Sequence, residues 1–205
     1  MAADAGLRER KKVRTRDAIV TAALELFADR GYEATTVEMI AEAAEVSPAT
    51  VFRYFAAKDE IVFSDRDRRL PMLAAALRNR PASESDLVAA GRALCEVFAD
   101  PDAESGIRRQ RQALASSVVL RGKAEDVLAD WQETIRKALV ARGAGNHGDP
   151  DARVRAALVM TGFRVALEDW LAGKHSELVP SIESTMGAVA VVAQAWAGTG
   201  TSKGG

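Results

Sequence analysis

Apolar residues recur at the spacing of an α-helix along almost the whole chain. The segment from Thr15 to Arg30 is an example, because its apolar residues fall three and four positions apart on one helix face. These residues are Ile19, Ala22, Ala23, Leu26 and Phe27. No run of alternating apolar and polar residues is long enough to indicate a strand. The sequence therefore predicts an all-α fold.

Two of the predicted helices are separated by only two residues. A short helix opens at Thr35 and ends before Glu45. The next helix opens at Ser47, a good N-cap, with Pro48 at its first position, where a missing N–H is harmless. So short a connection forces a sharp corner between the helices. With the preceding helix, which Gly31 closes, this is the pattern of a helix-turn-helix.

Longer helices follow this segment, and glycine or proline marks most of the breaks between them. They are predicted over 58–79, 84–99, 104–120, 124–142, 150–172 and 179–197. We therefore divide the chain into a basic flexible arm (1–13), a helix-turn-helix domain (14–60), a larger helical domain (61–197) and a disordered tail (198–205).

Cysteine content and hydropathy restrict the cellular setting. The single cysteine, Cys95, cannot form an internal disulfide, which fits a reducing cytoplasm. Residues 1–16 are polar and basic and lack the apolar core of a signal peptide. The longest apolar run, 186–197, is expected to be too short and too interrupted to span a bilayer. We expect a cytoplasmic protein without a membrane partner.

The net charge of −1 hides a strong asymmetry along the chain. Residues 8–16 contain six cations and one anion, a charge of +5. Residues 17–60 contain three cations and nine anions, a charge of −6. A basic run is often only a solvated tail. Because this one adjoins a helix-turn-helix, we expect it to reach the phosphates or a neighbouring groove of DNA.

The helix that opens at Ser47 has two distinct faces. Val51 and Phe55 are four residues apart and are expected to point inward. The other side chains are expected to point outward or to the sides of the helix: Pro48, Ala49, Thr50, Phe52, Arg53 and Tyr54. Hydroxyl groups suit phosphate, a guanidinium suits phosphate or guanine, and apolar edges suit the thymine methyl group. In the alternative reading, Phe52 and Tyr54 pack on the following helix.

This segment resembles the DNA-binding signature of the TetR family of repressors. The resemblance covers about a quarter of the chain, from Arg14 to Ile61, and it includes Leu26-Phe27, Gly31-Tyr32, Thr35-Thr36, Ile40-Ala41, Val46-Ser47, Phe52-x-Tyr54-Phe55 and Lys58. It implies a homodimer that binds a double-stranded DNA operator through its N-terminal domains. It also implies that the larger helical domain, 61–197, binds a small-molecule effector and carries the dimer contacts.

The resemblance also implies which residues meet the operator. They are Arg14, Thr36, Ser47, Pro48, Ala49, Thr50, Phe52, Arg53, Tyr54 and Lys58. Thr36 would cap the second helix near a phosphate, and Lys58 would meet the DNA backbone. Two positions depart from the family pattern. Glu45 stands where glycine is usual in the turn, and Phe52 stands where many members have tyrosine.

The effector is less well defined by the sequence. The run from Arg53 to Arg80 resembles, more weakly, actinobacterial members of the mycofactocin-regulator type, which suggests an acyl-thioester or other lipophilic ligand. Basic residues early in the predicted helix 104–120 could instead anchor an acidic ligand, although they would more often form a solvated face. Candidate ligand-binding residues are Met72, Phe98, Arg108, Arg111, Trp131, Met160 and Phe163, and the apolar ones also fit an ordinary core.

The last two helices predict the dimer interface. They are rich in small residues, which let helix axes approach closely: Ala156, Ala157, Gly162, Ala166, Gly187, Ala188, Ala190 and Ala193. Val189, Val192 and Trp196 add an apolar surface that a monomer would leave uncovered. We expect both helices to form a two-fold, four-helix interface.

No catalytic constellation is visible. Gly143, Gly145 and Gly148 spell a dinucleotide-binding motif, but that motif needs a preceding strand. His147 and His175 lack further ligands at metal-binding spacing. We expect that the protein is not an enzyme and that it binds neither a metal nor a cofactor. The alternative function is a helical protein-interaction module without DNA binding, favoured by the acidic balance of 17–60 and by Glu45.

Overall fold

The computed structural model describes residues 2–144 and 150–199, and over these ranges the chain is helical without a strand. The predicted all-α fold is confirmed. In chain order the helices are α1 (Ala2–Arg30), α2 (Val37–Ala43), α3 (Pro48–Tyr54), α4 (Lys58–Val62), α5 (Arg66–Asn79), α6 (Asp86–Phe98), α7 (Pro101–Ser116), α8 (Val118–Leu139), α9 (Pro150–Leu171) and α10 (Leu178–Thr199). After α8 the backbone kinks within Val140–Ala144, where Gly143 has a φ of +91°.

Helix α1 begins at Ala2 and not near Thr15, so residues 2–13 are helical, and the flexibility of the basic arm stays a prediction. The physical reason lies in its composition, since alanine, leucine, glutamate, lysine and arginine are strong helix formers and no proline interrupts them. The helix ends as predicted. The Gly31 N–H donates to the Phe27 carbonyl at 3.1 Å, and Gly31 has a φ of +83°.

The N-cap of α2 is Thr36, one residue later than the predicted opening at Thr35. The Thr36 hydroxyl oxygen accepts a hydrogen bond from the Met39 N–H at 3.3 Å. The hydroxyl of Thr35 is buried and donates to the Gly31 carbonyl at 2.8 Å. The Thr35 side chain therefore connects the loop to the end of α1, and Thr36 caps α2.

The corner between α2 and α3 is a Schellman turn. The Val46 N–H donates to the Ala41 carbonyl at 2.9 Å, and the Glu45 N–H donates to the Glu42 carbonyl at 3.1 Å. Glu45 has a φ of +54°, so this non-glycine residue adopts the left-handed conformation at the position where the family pattern has glycine. The Ser47 hydroxyl oxygen then caps α3 by accepting from the Thr50 N–H at 3.1 Å, with Pro48 at the first helical position as predicted.

The chain divides into two compact units. The first consists of Met1–Arg66 with Ser105–Glu125, and the second of Asp67–Glu104 with Asp126–Gly205. Residues 61–66 and 105–125, which the sequence analysis placed in the larger domain, therefore pack with the first unit. The sequence gives no local sign of this, because the segments come together only by tertiary contact.

The core of the first unit lies between α1, α2, α3 and α4. It consists of side chains that are almost completely buried: Ile19, Ala23, Phe27, Ile40, Val51, Phe55 and Ile61. Because α1 packs on both α2 and α4, and α2 packs on α3, helix α3 is fixed by the same core that holds the corner.

In the second unit, α10 packs along α9 and α6. Two glycines allow this close approach. A Cβ atom on Gly91 would lie 3.0 Å from Met186 Cβ, and one on Gly162 would lie 2.9 Å from Met186 Sδ. Ala156 and Ala166 are also completely buried within the chain. Gly162, Ala156 and Ala166, which were expected at an interface between copies, therefore serve the packing inside one copy.

Helix α10 is more apolar than the sequence analysis expected. The 18 residues Leu178–Ala195 have a mean hydropathy of 1.3, which by length and composition is enough to cross a membrane. The earlier estimate considered only the run that starts at Met186. Part of this apolar surface, including Val191 and Val192, is exposed.

Candidate nucleic-acid interface

Helix α3 presents one face to the core and the other to solvent, as predicted. Val51 and Phe55 are buried, whereas the phenyl ring of Phe52 is 54% exposed. Thr50 and Tyr54 are half-buried at the edges. Pro48, Ala49 and Arg53 are also exposed. The alternative, in which Phe52 packs on the following helix, does not fit this exposure.

The outer face of α3 carries the groups that suit DNA recognition. The Arg53 guanidinium lies over the Tyr54 ring, 5.4 Å from its centroid, which holds the cation beside a phenolic hydroxyl. At the other end of the helix the hydroxyls of Ser47 and Thr50 are 2.9 Å apart. The helix thus offers a cation, hydroxyls and an exposed apolar ring, which can contact phosphates, base edges and thymine methyl groups.

Lys58 is hydrogen-bonded within the first unit. Its ammonium group donates to the carbonyls of Tyr32 at 2.5 Å and Thr35 at 2.7 Å, and it lies 4.1 Å from the centroid of the Tyr32 ring. Burial lowers the pKa of Lys58. The side chain therefore holds the loop between α1 and α2. Sequence analysis did not predict these partners, and the contact of Lys58 with the DNA backbone stays a prediction.

Residues far along the chain hold the same loop from the other side. The Ser117 hydroxyl donates to the Glu33 carboxylate at 2.6 Å, and this bond lowers the pKa of Glu33. Lys123 forms an ion pair with Asp59 at the start of α4. Sequence analysis missed these contacts because each joins residues more than sixty positions apart.

The remaining predicted DNA contacts lie on α1 and at the start of α2. Arg14 and Thr36 are both exposed. Close to Arg14, the Arg16 guanidinium donates to the Ser64 carbonyl at 2.7 Å and lies 5.2 Å from the centroid of the Phe55 ring. Arg16 therefore links α1 to the C-terminal end of α3.

The predicted effector residues separate into two groups. Phe98, Trp131 and Phe163 form a buried cluster in the second unit, with ring centroids 4.9 to 6.3 Å apart. Met160 is buried in the same unit, and Met72 is partly exposed. Arg108 and Arg111 are exposed on α7, in the stretch that belongs to the first unit.

Arg69 was missed by sequence analysis. Its side chain is only 3% exposed, its guanidinium lies 4.6 Å from the centroid of the Phe98 ring, and it donates to the Val97 carbonyl at 2.7 Å. The surrounding run of arginines and aspartates gave no indication that this one cation would be buried.

The described residues contain no group of three or more histidine, cysteine or carboxylate side chains that could hold a metal ion. Gly145, His147 and Gly148 of the apparent dinucleotide motif lie outside the described residues. Burial raises the pKa of the Cys95 thiol to about 11, so the thiolate that a nucleophile requires is scarce near neutral pH.

Comparison with known proteins places the first unit in a sequence family. Residues 19–64 match the family described as "Bacterial regulatory proteins, tetR family". The transcriptional regulator TcmR of Streptomyces glaucescens is 51% identical over 93 residues, which cover 45% of this chain and 41% of TcmR. The chain therefore spans about two fifths of the length of that relative.

Two further comparisons cover most of the chain. The regulator MftR of Mycobacterium tuberculosis, named for mycofactocin biosynthesis, is 29% identical over 175 residues, covering 84% of this chain and 88% of MftR. The fold is similar to that of SmeT, the repressor of the Stenotrophomonas maltophilia multidrug efflux pump SmeDEF. The TM-score is 0.60 at 17% identity, over 86% of this chain and 89% of SmeT. A second structure of SmeT holds triclosan.

Proposed function

The chain belongs to the TetR family of bacterial transcriptional regulators, and we propose that it is a ligand-responsive repressor that binds a palindromic operator as a homodimer. The observation that carries this proposal is the outer face of α3. Its exposed Phe52 and Arg53 stand on a helix whose inner face, Val51 and Phe55, is locked into the core. A rigid helix with an exposed, chemically mixed face is what major-groove recognition requires.

The proposed operator contacts on α3 are those of its outward face and its cap: Ser47, Pro48, Ala49, Thr50, Phe52, Arg53 and Tyr54. Helix α3 has seven residues and is about 10 Å long, so its whole outer face fits within the major groove. Thr36 is the exposed N-cap of α2, and its hydroxyl is the group proposed to lie near a phosphate.

The proposed effector is lipophilic and binds in the second unit. The ring cluster of Phe98, Trp131 and Phe163 supports this proposal, because adjacent aromatic side chains suit a flat apolar ligand. Triclosan in SmeT is an example of an aromatic ligand on this fold. An acidic group on the ligand would require a cation, and the guanidinium of Arg69 lies against the Phe98 ring.

The proposed dimer uses α9 and α10. On α9, Val154, Leu158 and Val165 are exposed at helical spacing. On α10, Val191 and Val192 are 65% and 69% exposed. A surface of this composition is rarely left uncovered in a soluble protein, and a second copy of the same pair of helices would cover it. The side chain of Trp196 lies outside the described residues, so its predicted part in the interface stays a prediction.

The recognition face is tested by alanine substitution. Thr50→Ala and Tyr54→Ala should each weaken binding to the intergenic duplex beside the gene by about 1–3 kcal/mol, with little change in melting temperature. Val51→Ala is the matched control from the inner face, and it should lower the melting temperature instead.

Two outcomes would contradict the proposal. If the outer-face variants lose as much stability as Val51→Ala, those residues belong to the core and the face is assigned wrongly. If the wild-type protein shows no salt-dependent binding to duplex DNA, the alternative of a protein-interaction module is favoured, since counterion release accompanies any phosphate contact.

A further inference from the structure

Arg53 is the single charged side chain of α3. The seven residues of this helix are Pro48, Ala49, Thr50, Val51, Phe52, Arg53 and Tyr54. None of the other six carries a charge at neutral pH, and Arg53 lies in the last turn of the helix. Any charged group that α3 itself offers to a partner is therefore this guanidinium.

The direction of the Arg53 side chain follows from the buried residues of the same helix. Successive residues of an α-helix are rotated by about 100° about its axis. Arg53 comes two positions after Val51, so the two side chains leave the helix about 160° apart. Val51 is 1% exposed, and Phe55, four residues after it, is buried on the same side. Arg53 is exposed and therefore points away from the core.

Arg53 lies in the middle of the outer face of α3. Ala49 is exposed one helical turn before it, and its small side chain lets the helix approach a surface closely. Thr50 and Tyr54 are half-buried on one flank, and the exposed Phe52 ring lies on the other. When a recognition helix enters the major groove, the middle of its outer face comes nearest to the base edges, and the flanks come nearest to the phosphates. The position of Arg53 therefore favours a base.

The Tyr54 ring restricts the guanidinium without using its hydrogen-bond donors. The central carbon of the guanidinium lies 5.4 Å from the centroid of the ring. The guanidinium is planar, and its N–H groups lie within that plane, so a contact with a ring leaves the N–H groups available to acceptors. A restricted guanidinium also loses less conformational freedom when it binds.

We propose that Arg53 determines the sequence preference of the protein by binding one guanine in each half-site of the operator through the major groove. This inference rests on the proposed function and assigns the base that α3 recognises. A guanidinium has donors and no acceptor. In the major groove guanine presents two acceptors, N7 and O6, whereas adenine presents an acceptor beside a donor, and cytosine presents a donor. Thymine presents one acceptor beside a methyl group. Guanine is therefore the base that matches both arms of the guanidinium.

The experiment replaces guanine by 7-deazaguanine in the intergenic duplex beside the gene. This analogue still pairs with cytosine, but it lacks the N7 acceptor, and the phosphates are unchanged. Affinities of the full-length protein for the natural and the substituted duplex are measured at about 50 mM salt, where phosphate contacts keep a weakened complex measurable. The ratio of the two affinities is determined for the wild-type protein, for Arg53→Ala and for Arg14→Ala. Arg14 is the matched control, because it is an exposed arginine outside α3.

The wild-type protein should bind the natural duplex at least about 10-fold more tightly, because each half-site of the substituted duplex lacks one charge-assisted hydrogen bond. Arg53→Ala should bind the two duplexes equally, to within about twofold, because the group that contacts N7 is absent. Its melting temperature should be unchanged, since the side chain is exposed. Arg14→Ala should keep the wild-type ratio, whatever its overall affinity.

Two results would overturn the proposal. If Arg53→Ala keeps the wild-type ratio, another residue binds the guanine, and an equal loss of affinity on both duplexes with a smaller salt dependence would assign Arg53 to a phosphate. If the wild-type protein binds both duplexes equally, no guanine is recognised through N7. Failure of the proposed function is distinguishable from both, because the wild-type protein would then show no salt-dependent binding to either duplex.

Discussion

Glu45 occupies the one position in the corner between α2 and α3 where the backbone is strained. Its φ of +54° lies in the left-handed region, which costs a residue with a Cβ about 1–2 kcal/mol relative to the right-handed region. The Schellman hydrogen bonds from Glu45 and Val46 hold this conformation in place. The orientation of α3, and of its proposed recognition face, therefore depends on this turn. The Cβ atom of Glu45 disfavours the conformation that the turn requires.

Glu45→Gly should therefore stabilise the protein by up to about 1 kcal/mol, since glycine removes the strain but loses more backbone entropy on folding. The increase should appear as a higher denaturant midpoint in equilibrium unfolding. Glu45→Ala keeps the strain while removing the charge, and it should leave the midpoint nearly unchanged. A lower midpoint for the glycine variant would show that the turn does not carry this strain.

At the scale of single residues, the sequence predicted what local chemistry decides. Ser47 and Gly31 are in their predicted positions because an N-cap and a left-handed C-terminal residue depend only on their immediate neighbours. The choice between Thr35 and Thr36 depended on whether the Gly31 carbonyl was within reach of Thr35. The carbonyl partners of Lys58 could not be predicted for the same reason, because the fold brings them to it.

Among the helices, α10 is held closest to its neighbours where those neighbours carry glycine. A Cβ on Gly91 would lie 3.0 Å from Met186 Cβ, an atom that cannot move without its backbone. At Gly162 the nearest contacts would be Met186 Sδ and a Val189 methyl group. In contrast, nothing lies within 4 Å of a Cβ placed on Gly122, in the interior of α8.

Substituting alanine for Gly122 and for Gly91 should have opposite effects on stability. Gly122→Ala should stabilise the protein by about 0.5–1 kcal/mol, because alanine has the higher helix propensity. Gly91→Ala gains the same propensity but forces α6 and α10 apart, and we expect a net loss of stability of about 1 kcal/mol or more. Thermal denaturation of both variants in the same buffer measures the difference. A rise in melting temperature for both would mean that α10 can shift at no cost.

The periodicity of the sequence predicted most of the helices, but not which neighbour each face would contact. The small residues of α9 illustrate this limit. Their spacing correctly indicated close helix packing, yet Ala156, Gly162 and Ala166 are buried inside the chain. The early start of α1 is a second example, since helix propensity over residues 2–14 extends the helix beyond its predicted start near Thr15.

For the whole molecule, the proposed assembly rests on the side chains that the internal packing leaves exposed. When Ala156, Gly162 and Ala166 of α9 are assigned to the interior, α9 and α10 still expose large apolar side chains, which are Val154, Leu158, Val165, Val191 and Val192. Val191 and Val192 also raise the mean hydropathy of α10 to a level that would suit a membrane. A two-fold interface explains the same surface and pairs two copies of α3, as a palindromic operator requires.

Val192→Asp should therefore convert the dimer into a folded monomer. Two-fold symmetry places the new carboxylate in the interface twice, and an unpaired buried charge costs about 3–5 kcal/mol, so dimerisation should weaken by at least about 100-fold. Sedimentation velocity measures the change, and binding to a palindromic duplex should fall to that of a half-site.

Val119→Asp is the matched control, because Val119 is 58% exposed near the start of α8, outside the proposed interface. It should remain dimeric. A Val192→Asp protein that sediments like the control would place the interface elsewhere, and the uncovered valines of α10 would then need a different partner.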